Sequence, residues 1–346
     1  MNATSATPQK PGPILYRPLG RTGLQISCLG FGTMSFGAEA DEATSGELYR
    51  RCRDAGVNWF DCADVYAKGR SEEILGHLFA GHRDEVILTS KVGFASGPDA
   101  NARGLSRRHI RLAVEASLKR LKTDRIDLYF LHRFDERTPI EEPLRALDDL
   151  VRQGKILYPA ISNAAAWQIA KALGISARQG WSRFECIQPM YNLVKRQAEV
   201  ELLPLALSEQ LGVIPYSPMA GGLLSGKYTT SSRPDSGRLK DNPIYAARYG
   251  RHADYFAAAE RFAQLAAGRG VHPAALAVAW VMSHPAVTAP IIGARNVAQL
   301  EHSLAALDIK MTPELRAEIS CLTPEPPLAT DRDEERLGIF PGVQKK

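Results

Sequence analysis

Short apolar runs that end in polar residues recur along the 346-residue chain, and segments with helical periodicity separate them. Seven of these runs, at residues 58–60, 86–89, 128–131, 158–161, 186–187, 213–214 and 291–292, lead into groups with chemical potential: Asp61, Lys91, His132, Ser162 with Asn163, Gln188, Tyr216 with Ser217, and Gly293 with Arg295. Strands that alternate with helices in this way indicate a parallel sheet. Functional groups at the C-terminal strand ends are typical of a (β/α)8 barrel.

The alternation predicts eight strands and at least eight helices. We expect strands at residues 29–34, 58–63, 86–92, 127–132, 157–162, 186–190, 213–217 and 288–292. We expect helices at residues 43–55, 71–79, 106–121, 140–152, 165–173, 196–210, 272–284 and 296–306, with Ser71 capping the second and a further helix at 313–321. Eight strands favour a single (β/α)8 TIM barrel. An open doubly wound sheet is the alternative, weakened because no GxGxxG turn is present.

The chain organisation is that of one domain with irregular ends. Residues 1–13 are polar and contain prolines, which predicts a disordered N-terminus. Residues 14–321 would form the barrel, preceded by a β-hairpin in which runs 16–19 and 24–27 flank a glycine-containing turn. The stretch 219–251 predicts a long loop over the site, and the proline-containing tail 322–346 should be irregular.

Composition is ordinary for a soluble globular protein, with 45% hydrophobic and 23% charged residues. The net charge of +5 is interspersed, and the most basic stretch, 107–125, carries an apolar stripe, so we expect an amphipathic helix and no nucleic-acid partner. Five scattered cysteines argue against disulfides and zinc and favour a reducing compartment. Without an apolar signal or a spanning segment, we expect a cytoplasmic protein with no membrane partner.

Three strand ends and one loop could together carry acid–base chemistry. Asp61, Lys91 and His132 end successive strands, which lie about 4.8 Å apart, and Tyr66 follows in the loop after Asp61. A lysine ammonium beside Tyr66 would lower its pKa, and a carboxylate would hold the lysine in place. Each residue alone has an ordinary structural explanation. The combination suits carbonyl reduction, with Tyr66 as the proton donor.

The second half of the chain could hold the hydride donor. Arg295 precedes a predicted helix, and a helix N-terminus beside an arginine suits a phosphate group. The glycine-containing segment 221–227 ends in Lys227 and could fold over a pyrophosphate, although it lacks Walker spacing. Substrate contacts could come from apolar side chains near the strand ends, namely Met34, Trp59, Phe94 and Phe134.

The chain resembles the aldo-keto reductase superfamily over residues 16–307. The matching segments in order are LGFGTM (29–34), FDCADVY (60–66), SK (90–91), LH (131–132), ISN (161–163), QP (188–189), YSP (216–218), GGLLSGKY (221–228) and IGAR (292–295). The hairpin and GGLLSGKY are similar to the bacterial branch that includes the potassium-channel β-subunits. Any one segment is weak, but nine in the right order are highly specific.

The resemblance implies NADP(H) and a role for each matching residue. Asp61, Tyr66, Lys91 and His132 would form the catalytic tetrad. The cofactor-binding set would comprise Ser162, Asn163 and Gln188 at the carboxamide, Tyr216 on the nicotinamide ring, Ser217, Leu223 and Lys227 at the pyrophosphate, and Gly293, Arg295 and Gln299 at the adenosine, together with Gly32, Thr33, Met34, Asp61, Pro218, Gly221 and Gly226. Arg295 near the 2′-phosphate favours NADP(H) over NAD(H).

Some positions depart from the family pattern, and other functions stay open. Ala67 follows Tyr66 where glycine is usual, His302 replaces an asparagine near the adenine, and Pro159-Ala160 replaces Ile-Gly. A redox-sensing subunit that holds cofactor and turns over slowly is the alternative to a reductase. A metal-dependent hydrolase is disfavoured because no HxH ends a strand, so we expect no metal. The carbonyl substrate, the physiological direction and the oligomeric state do not follow from the sequence.

Overall fold

The computed structural model describes residues 12–332 together with Glu334 and Ile339. Most of the predicted disordered N-terminus, 1–11, and the end of the predicted tail, including Phe340, lie outside the described residues. Two strands form a hairpin, β1 (Tyr16–Pro18) and β2 (Gln25–Ser27), as the sequence predicts. The described part of the tail, from Thr323 to Arg332, contains no helix or strand.

Eight parallel strands form the central sheet in the order β10-β3-β4-β5-β6-β7-β8-β9. They are β3 (Gly30–Gly32), β4 (Trp59–Asp61), β5 (Ile87–Val92), β6 (Ile126–Leu131), β7 (Ile156–Ser162), β8 (Cys186–Gln188), β9 (Gly212–Val213) and β10 (Ile291–Ile292). All eight lie within the predicted ranges except for one-residue extensions. Neighbouring strands are consecutive in sequence apart from β10, which returns to pair with β3.

The last gap in the sheet is closed by hydrogen bonds between the segments around β9 and β10. The Thr288 N–H donates to the Val213 carbonyl at 2.9 Å, and the Ile291 N–H donates to the Pro215 carbonyl at 2.9 Å. The eight strands therefore surround a common axis. The fold is a (β/α)8 barrel, as the alternation predicts, and the open-sheet alternative is wrong.

Helices follow the strands and cover the outside of the barrel. They are α1 (Glu42–Asp54), α2 (Arg70–Leu78), α3 (Arg107–Leu121), α4 (Glu141–Arg152), α5 (Ala166–Gln179), α6 (Leu202–Ser208), α7 (Arg238–Asp241), α8 (Pro243–Tyr249), α9 (Ala253–Gly268), α10 (Pro273–Met282), α11 (Val297–Leu304) and α12 (Pro313–Ser320). Side-chain caps explain several starts. For example, Asp41 accepts from the Thr44 N–H before α1, and Ser106 accepts from the His109 N–H before α3.

Three predictions about helices are wrong. Helix α2 begins at Arg70 after Gly69, which has φ = 93°, and the Ser71 hydroxyl donates to the buried Thr33 carbonyl instead of capping the helix. One helix was predicted over 196–210, but the α-helix in this region, α6, begins only at Leu202. Pro204 explains the late start, because proline fits the first turn of a helix and disrupts a helix interior. The predicted loop 219–251 contains α7 and α8, and α9 was not predicted at all.

Two groups of apolar side chains stabilise the barrel. One lies between the sheet and the surrounding helices, and the other fills the barrel interior, where Trp59, Leu128 and Phe130 pack above the hairpin. The hairpin covers the N-terminal end of the barrel, since Leu19 and Ile26 belong to the same interior group. The C-terminal end is thereby the open end of a filled barrel.

No single helix among the described residues is long and apolar enough to cross a bilayer. Helices α9 and α10 meet that length only when taken together, and the chain bends by 101° between them.

Candidate active site

A cavity of about 730 Å³ opens at the C-terminal ends of the strands. The predicted site residues that line it are Gly32, Met34, Asp61, Tyr66, Phe94, His132, Ser162, Asn163, Gln188, Tyr216, Ser217, Pro218, Gly221, Lys227, Gly293, Arg295 and Gln299. The structure thus brings together residues that are as much as 267 positions apart in the sequence. Lys91 lies directly beneath this surface and is completely buried.

Asp61 and Lys91 form a buried ion pair at the base of the cavity. The Lys91 Nζ donates to Asp61 Oδ2 at 2.6 Å and to the Cys62 carbonyl at 2.7 Å. The other carboxylate oxygen, Oδ1, accepts from the Thr89 hydroxyl at 2.7 Å and from Gln188 Nε2 at 2.8 Å. Because each charge has a partner and further hydrogen bonds, the pair can stay ionised without solvent.

Tyr66 lies next to this ion pair, and its hydroxyl accepts a long hydrogen bond of 3.4 Å from the Lys91 Nζ. The net shift of the pKa of this phenol is opposite to the lowering expected from a neighbouring lysine. Burial, and then the negative charge of Asp61, raise the pKa of Tyr66 well above 10. The phenol therefore keeps its proton at neutral pH.

His132 is buried beside Tyr66, with ring centroids 6.0 Å apart. Burial, and then the positive charge of Lys91, lower the pKa of His132 well below 6.5. The imidazole is therefore neutral at neutral pH. Its Nδ1 is buried without a hydrogen-bond partner among the described residues, and the Phe94 ring packs edge-on at 4.6 Å.

Three polar side chains beyond His132 form a hydrogen-bonded chain that ends on the backbone of β8. The Ser162 hydroxyl donates to the backbone carbonyl of Gln188 at 2.8 Å, and Asn163 Nδ2 donates to the Ser162 Oγ at 3.0 Å. The Tyr216 hydroxyl donates to Asn163 Oδ1 at 2.8 Å. These bonds fix the orientation of the side chains that the resemblance assigns to the carboxamide and the nicotinamide ring.

The opposite end of the cavity is cationic. Burial, and then the positive charge of Arg295, lower the pKa of Lys227, so the two cations are close enough to repel each other. Asn296 caps α11 by accepting from the Gln299 N–H at 3.0 Å, and Gln299 Oε1 accepts from the Arg295 N–H at 3.2 Å. The His302 ring stacks on His272 at 3.7 Å. Two neighbouring cations at a helix start suit a phosphate-bearing ligand.

Besides the buried Lys91, five predicted site residues do not line the cavity. Trp59 lies one layer deeper in the barrel, 1% exposed, with its Nε1 donating to the Ser27 carbonyl, so its predicted contact with substrate is wrong. Phe134 packs against Trp167 with ring centroids 6.2 Å apart. The other three are Thr33, Leu223 and Gly226. Thr33 and Leu223 are buried, and Gly226 lies close to Pro273. The Thr33 hydroxyl donates to the backbone carbonyl of Asp61.

Sequence reasoning missed the wall of the cavity that α7 and α8 provide. Arg238, Asn242, Ile244, Tyr245 and Arg248 line the cavity from these two short helices. A local signal for α8 exists, because Asn242 accepts from the Ile244 and Tyr245 N–H groups and a proline follows as the first helical residue. The stretch 219–251 was predicted to lie over the site, but no signal in the sequence indicates which of its side chains line the cavity.

The family model described as "Aldo/keto reductase family" matches residues 28–322 of the chain. The chain belongs to the aldo-keto reductase family. The match spans the barrel from the end of the hairpin to the end of α12. It thus includes every residue of the cavity described above.

Several curated proteins are similar to this family member over most of their length. An uncharacterised oxidoreductase of Bacillus subtilis, YrpG, is 38% identical over 327 residues, covering 90% of this chain and 96% of the relative. A probable voltage-gated potassium channel subunit beta of Arabidopsis thaliana is 37% identical, covering 85% and 91%. A versiconal hemiacetal acetate reductase of Aspergillus parasiticus is 33% identical, covering 86% and 94%. Their names and the family model support a general oxidoreductase role.

The turn after Tyr66 contains one of the departures from the pattern that the resemblance implies. Ala67 and Lys68 have φ = 47° and 56°, in the left-handed region that favours glycine. The alanine at the position where the family usually has glycine is therefore held in a strained conformation. Strain of this kind persists where the surrounding contacts fix the backbone, and it occurs here beside the tetrad.

Proposed function

We propose that this chain is an NADP(H)-dependent reductase of aldehydes or ketones in which Tyr66 is the general acid. The observation that carries the proposal is the arrangement of Tyr66, Lys91 and Asp61. The phenol accepts from Lys91, and Lys91 is held by Asp61, so the phenolic proton is available to an acceptor in the cavity. A group that stays protonated at neutral pH and faces a cavity is suited to proton donation.

The residues present fit a phosphorylated dinucleotide. Lys227 and Arg295 place two cations at one end of the cavity, and the start of α11 adds peptide dipoles that favour an anion. The far end holds the ordered amide of Asn163 and the Tyr216 ring. A cavity of about 730 Å³ is large enough for a sizeable organic ligand.

Each residue of the tetrad has a separate role in carbonyl reduction. A bound reduced nicotinamide supplies the hydride that reaches the carbonyl carbon. Tyr66 donates its proton to the carbonyl oxygen as negative charge develops there. Lys91 stabilises the phenolate that remains, because its Nζ already contacts the Tyr66 oxygen, and Asp61 keeps Lys91 charged. Neutral His132 lies beside Tyr66 and can hydrogen-bond the carbonyl oxygen.

The Tyr66→Phe variant tests this proposal. It removes the proton donor and keeps the ring, so we expect kcat for NADPH-dependent reduction across a panel of aldehydes and ketones to fall by about 10² to 10⁴. Binding of NADPH, followed by fluorescence, should persist. Tyr255→Phe is the matched control, because this tyrosine lies in α9 and does not line the cavity. Turnover that survives Tyr66→Phe would exclude Tyr66 as the acid.

A redox-sensing subunit is the second candidate, because two relatives are described as probable potassium channel β-subunits. Such a protein would bind NADPH tightly and turn over slowly. The complete tetrad favours the reductase. Steady-state rates distinguish the two, since tight NADPH binding with negligible reduction of every carbonyl compound tested would favour the sensing role.

A further inference from the structure

Arg248, near the end of α8, lies against two aromatic rings in the wall of the cavity. Its guanidinium carbon lies 5.7 Å from the centre of the Tyr216 ring and 5.5 Å from that of the Tyr245 ring. Contacts between an arginine and aromatic faces hold the guanidinium by cation–π attraction and leave its N–H edge available. Arg248 is partly buried and lines the cavity, so the rings position a cation there.

This cation has no acidic partner in the part of the chain that the structure describes. Arg238 also lies against the Tyr245 ring, with its guanidinium carbon 5.6 Å from the ring centre. Unlike Arg248, it has an acidic partner, because its Nε pairs with Glu39 Oε1 at 3.2 Å. Within residues 12–332, no carboxylate lies within ion-pairing distance of Arg248 and no side-chain hydrogen bond satisfies it. An unpaired and partly desolvated guanidinium binds an anion more strongly than a solvated one does.

The position of Arg248 indicates which anion it serves. Lys227 and Arg295 repel each other at the cationic end of the cavity, where a cofactor phosphate would be bound. Arg248 instead lies against Tyr216 and Tyr245. The Tyr216 hydroxyl donates to Asn163 Oδ1 at 2.8 Å, and Asn163 Nδ2 donates to the backbone carbonyl of His132 at 2.9 Å. Arg248 therefore belongs to the end of the cavity that holds the proton donor.

We propose that Arg248 selects carbonyl substrates that carry a carboxylate group. The inference rests on the proposed reductase function and names its substrate class. The planar guanidinium would bind the carboxylate through two N–H groups while the carbonyl of the same molecule reaches Tyr66. Met34 and Phe94 line the same cavity and would contact the apolar part of such a molecule. The reaction is unchanged: a hydride adds to the carbonyl carbon and the Tyr66 proton to the oxygen.

Matched substrate pairs test this specificity. The pairs are 3-carboxybenzaldehyde, 4-carboxybenzaldehyde and succinic semialdehyde, each compared with its methyl ester, which removes the negative charge and adds one methyl group. For at least one pair we expect kcat/KM with NADPH to be tenfold or more higher for the carboxylate. A preference of less than twofold in all three pairs would overturn the proposal.

Substitution at Arg248 assigns the preference to this residue. Arg248→Met should reduce the carboxylate-to-ester ratio at least tenfold, and Arg248→Lys should retain part of it, because an ammonium keeps the charge but loses the planar fork. The control is Arg233→Met, which removes a cation 4.0 Å from the Phe256 ring, outside the cavity. A ratio that survives Arg248→Met, or that Arg233→Met lowers equally, would overturn the proposal.

A binding measurement separates the substrate carboxylate from a cofactor phosphate. If Arg248→Met weakens NADPH binding tenfold and leaves the carboxylate-to-ester ratio unchanged, Arg248 serves the cofactor and the proposal is wrong. An unchanged Kd for NADPH with a lost ratio supports it.

Binding of the alcohol products distinguishes failure of this inference from failure of the proposed reductase function. Calorimetry with NADP⁺ present compares 4-carboxybenzyl alcohol with its methyl ester and needs no turnover. If the wild-type chain reduces none of the aldehydes but binds the carboxylate tenfold more tightly, and Arg248→Met abolishes that difference, the reductase function fails and the anion site stands. Equal binding of both alcohols would overturn the anion site.

Discussion

Tyr66 and His132 lie edge to face with ring centroids 6.0 Å apart; His132 is buried, and Tyr66 is partly buried where it lines the cavity. Burial favours the neutral form of either side chain, so it raises the pKa of the phenol and lowers the pKa of the imidazole. At Tyr66 the negative charge of Asp61 acts in the same direction as burial. The site consequently holds a protonated acid and a neutral histidine throughout the neutral pH range.

This arrangement predicts opposite pH dependences for the two directions of the reaction. Reduction needs the protonated phenol, so its kcat/KM should stay flat between pH 6 and pH 9. Alcohol oxidation needs the phenolate, which is scarce below a pKa well above 10, so its kcat/KM should rise about tenfold per pH unit over that range. Rates measured in both directions in one mixed buffer check this. An oxidation profile that levels off near pH 7 would show that Lys91 controls the phenol after all.

Single residues also show how much of the site could be predicted. Asp61, Lys91 and His132 were identified because each ends an apolar run, and strand ends meet at one edge of a barrel. The hydrogen bond from Gln188 to Asp61 could not be predicted, because the two residues are 127 positions apart. Trp59 was misplaced since alternation gives the face of a strand and not the depth of a side chain along the barrel axis.

At the scale of elements, the approach of β3 to β4 depends on Gly30. A Cβ atom at this position would lie 1.9 Å from Trp59 Cε2. The indole cannot move away easily, because its Nε1 donates to the Ser27 carbonyl at 2.9 Å and the ring is buried. The glycine therefore makes room for the largest side chain of the barrel interior.

Gly30→Ala should accordingly destabilise the protein, by about 1–3 kcal/mol from overpacking. Gly174→Ala is the matched control, because no atom lies within 4 Å of its added Cβ and it is in the middle of α5. There the exchange should stabilise the helix by about 0.5–1 kcal/mol. Urea unfolding of both variants beside the wild-type chain checks the opposite signs. Equal changes in the free energy of unfolding would show that the Trp59 side chain can move to make room for the added methyl group.

The elements that the sequence predicted well are those with long apolar periodicity. The eight strands and most outer helices fall in this class. Helices α7 and α8 have 4 and 7 residues, too few to show a helical period, and they lie in a stretch rich in glycine and proline. Helix α9 is long and contains many alanines, so its omission was an error of interpretation and not a missing signal.

At the scale of the whole molecule, two acids are buried together behind the tetrad. Glu72 is fully buried, and Arg120 donates to its Oε2 at 2.7 Å. Asp64 is 5% exposed, and neither of its carboxylate oxygens has a hydrogen-bond partner among the described residues. Burial, and then the charge of Glu72, raise the pKa of Asp64 to about 7. Ionisation of Asp64 therefore destabilises the folded state.

The stability of the protein should fall as this group ionises. The folded-state pKa of Asp64 is raised, so its contribution is complete below an unfolded pKa of about 4 and is lost as pH rises through about 7. Asp64→Asn cannot ionise, so the loss of unfolding free energy between pH 5 and pH 8 should shrink by at most about 3 kcal/mol. Urea unfolding at the two pH values measures this. The exposed Asp54→Asn is the control, and an equal change in both variants would contradict the prediction.

The hydrogen bonds that close the barrel join the segments around β9 and β10, which a long stretch of chain separates. The exposed residues 230–233 lie within it, after Lys227 and before α7, α8 and β10. A backbone cut there would leave Lys227 on one piece and Arg295 on the other, so the cationic end of the cavity would be divided between two polypeptides. Association of the pieces and occupancy of the cavity would then be linked equilibria, each favouring the other. This barrel is thus a natural candidate for a split reporter, in which reassembly signals the presence of the ligand.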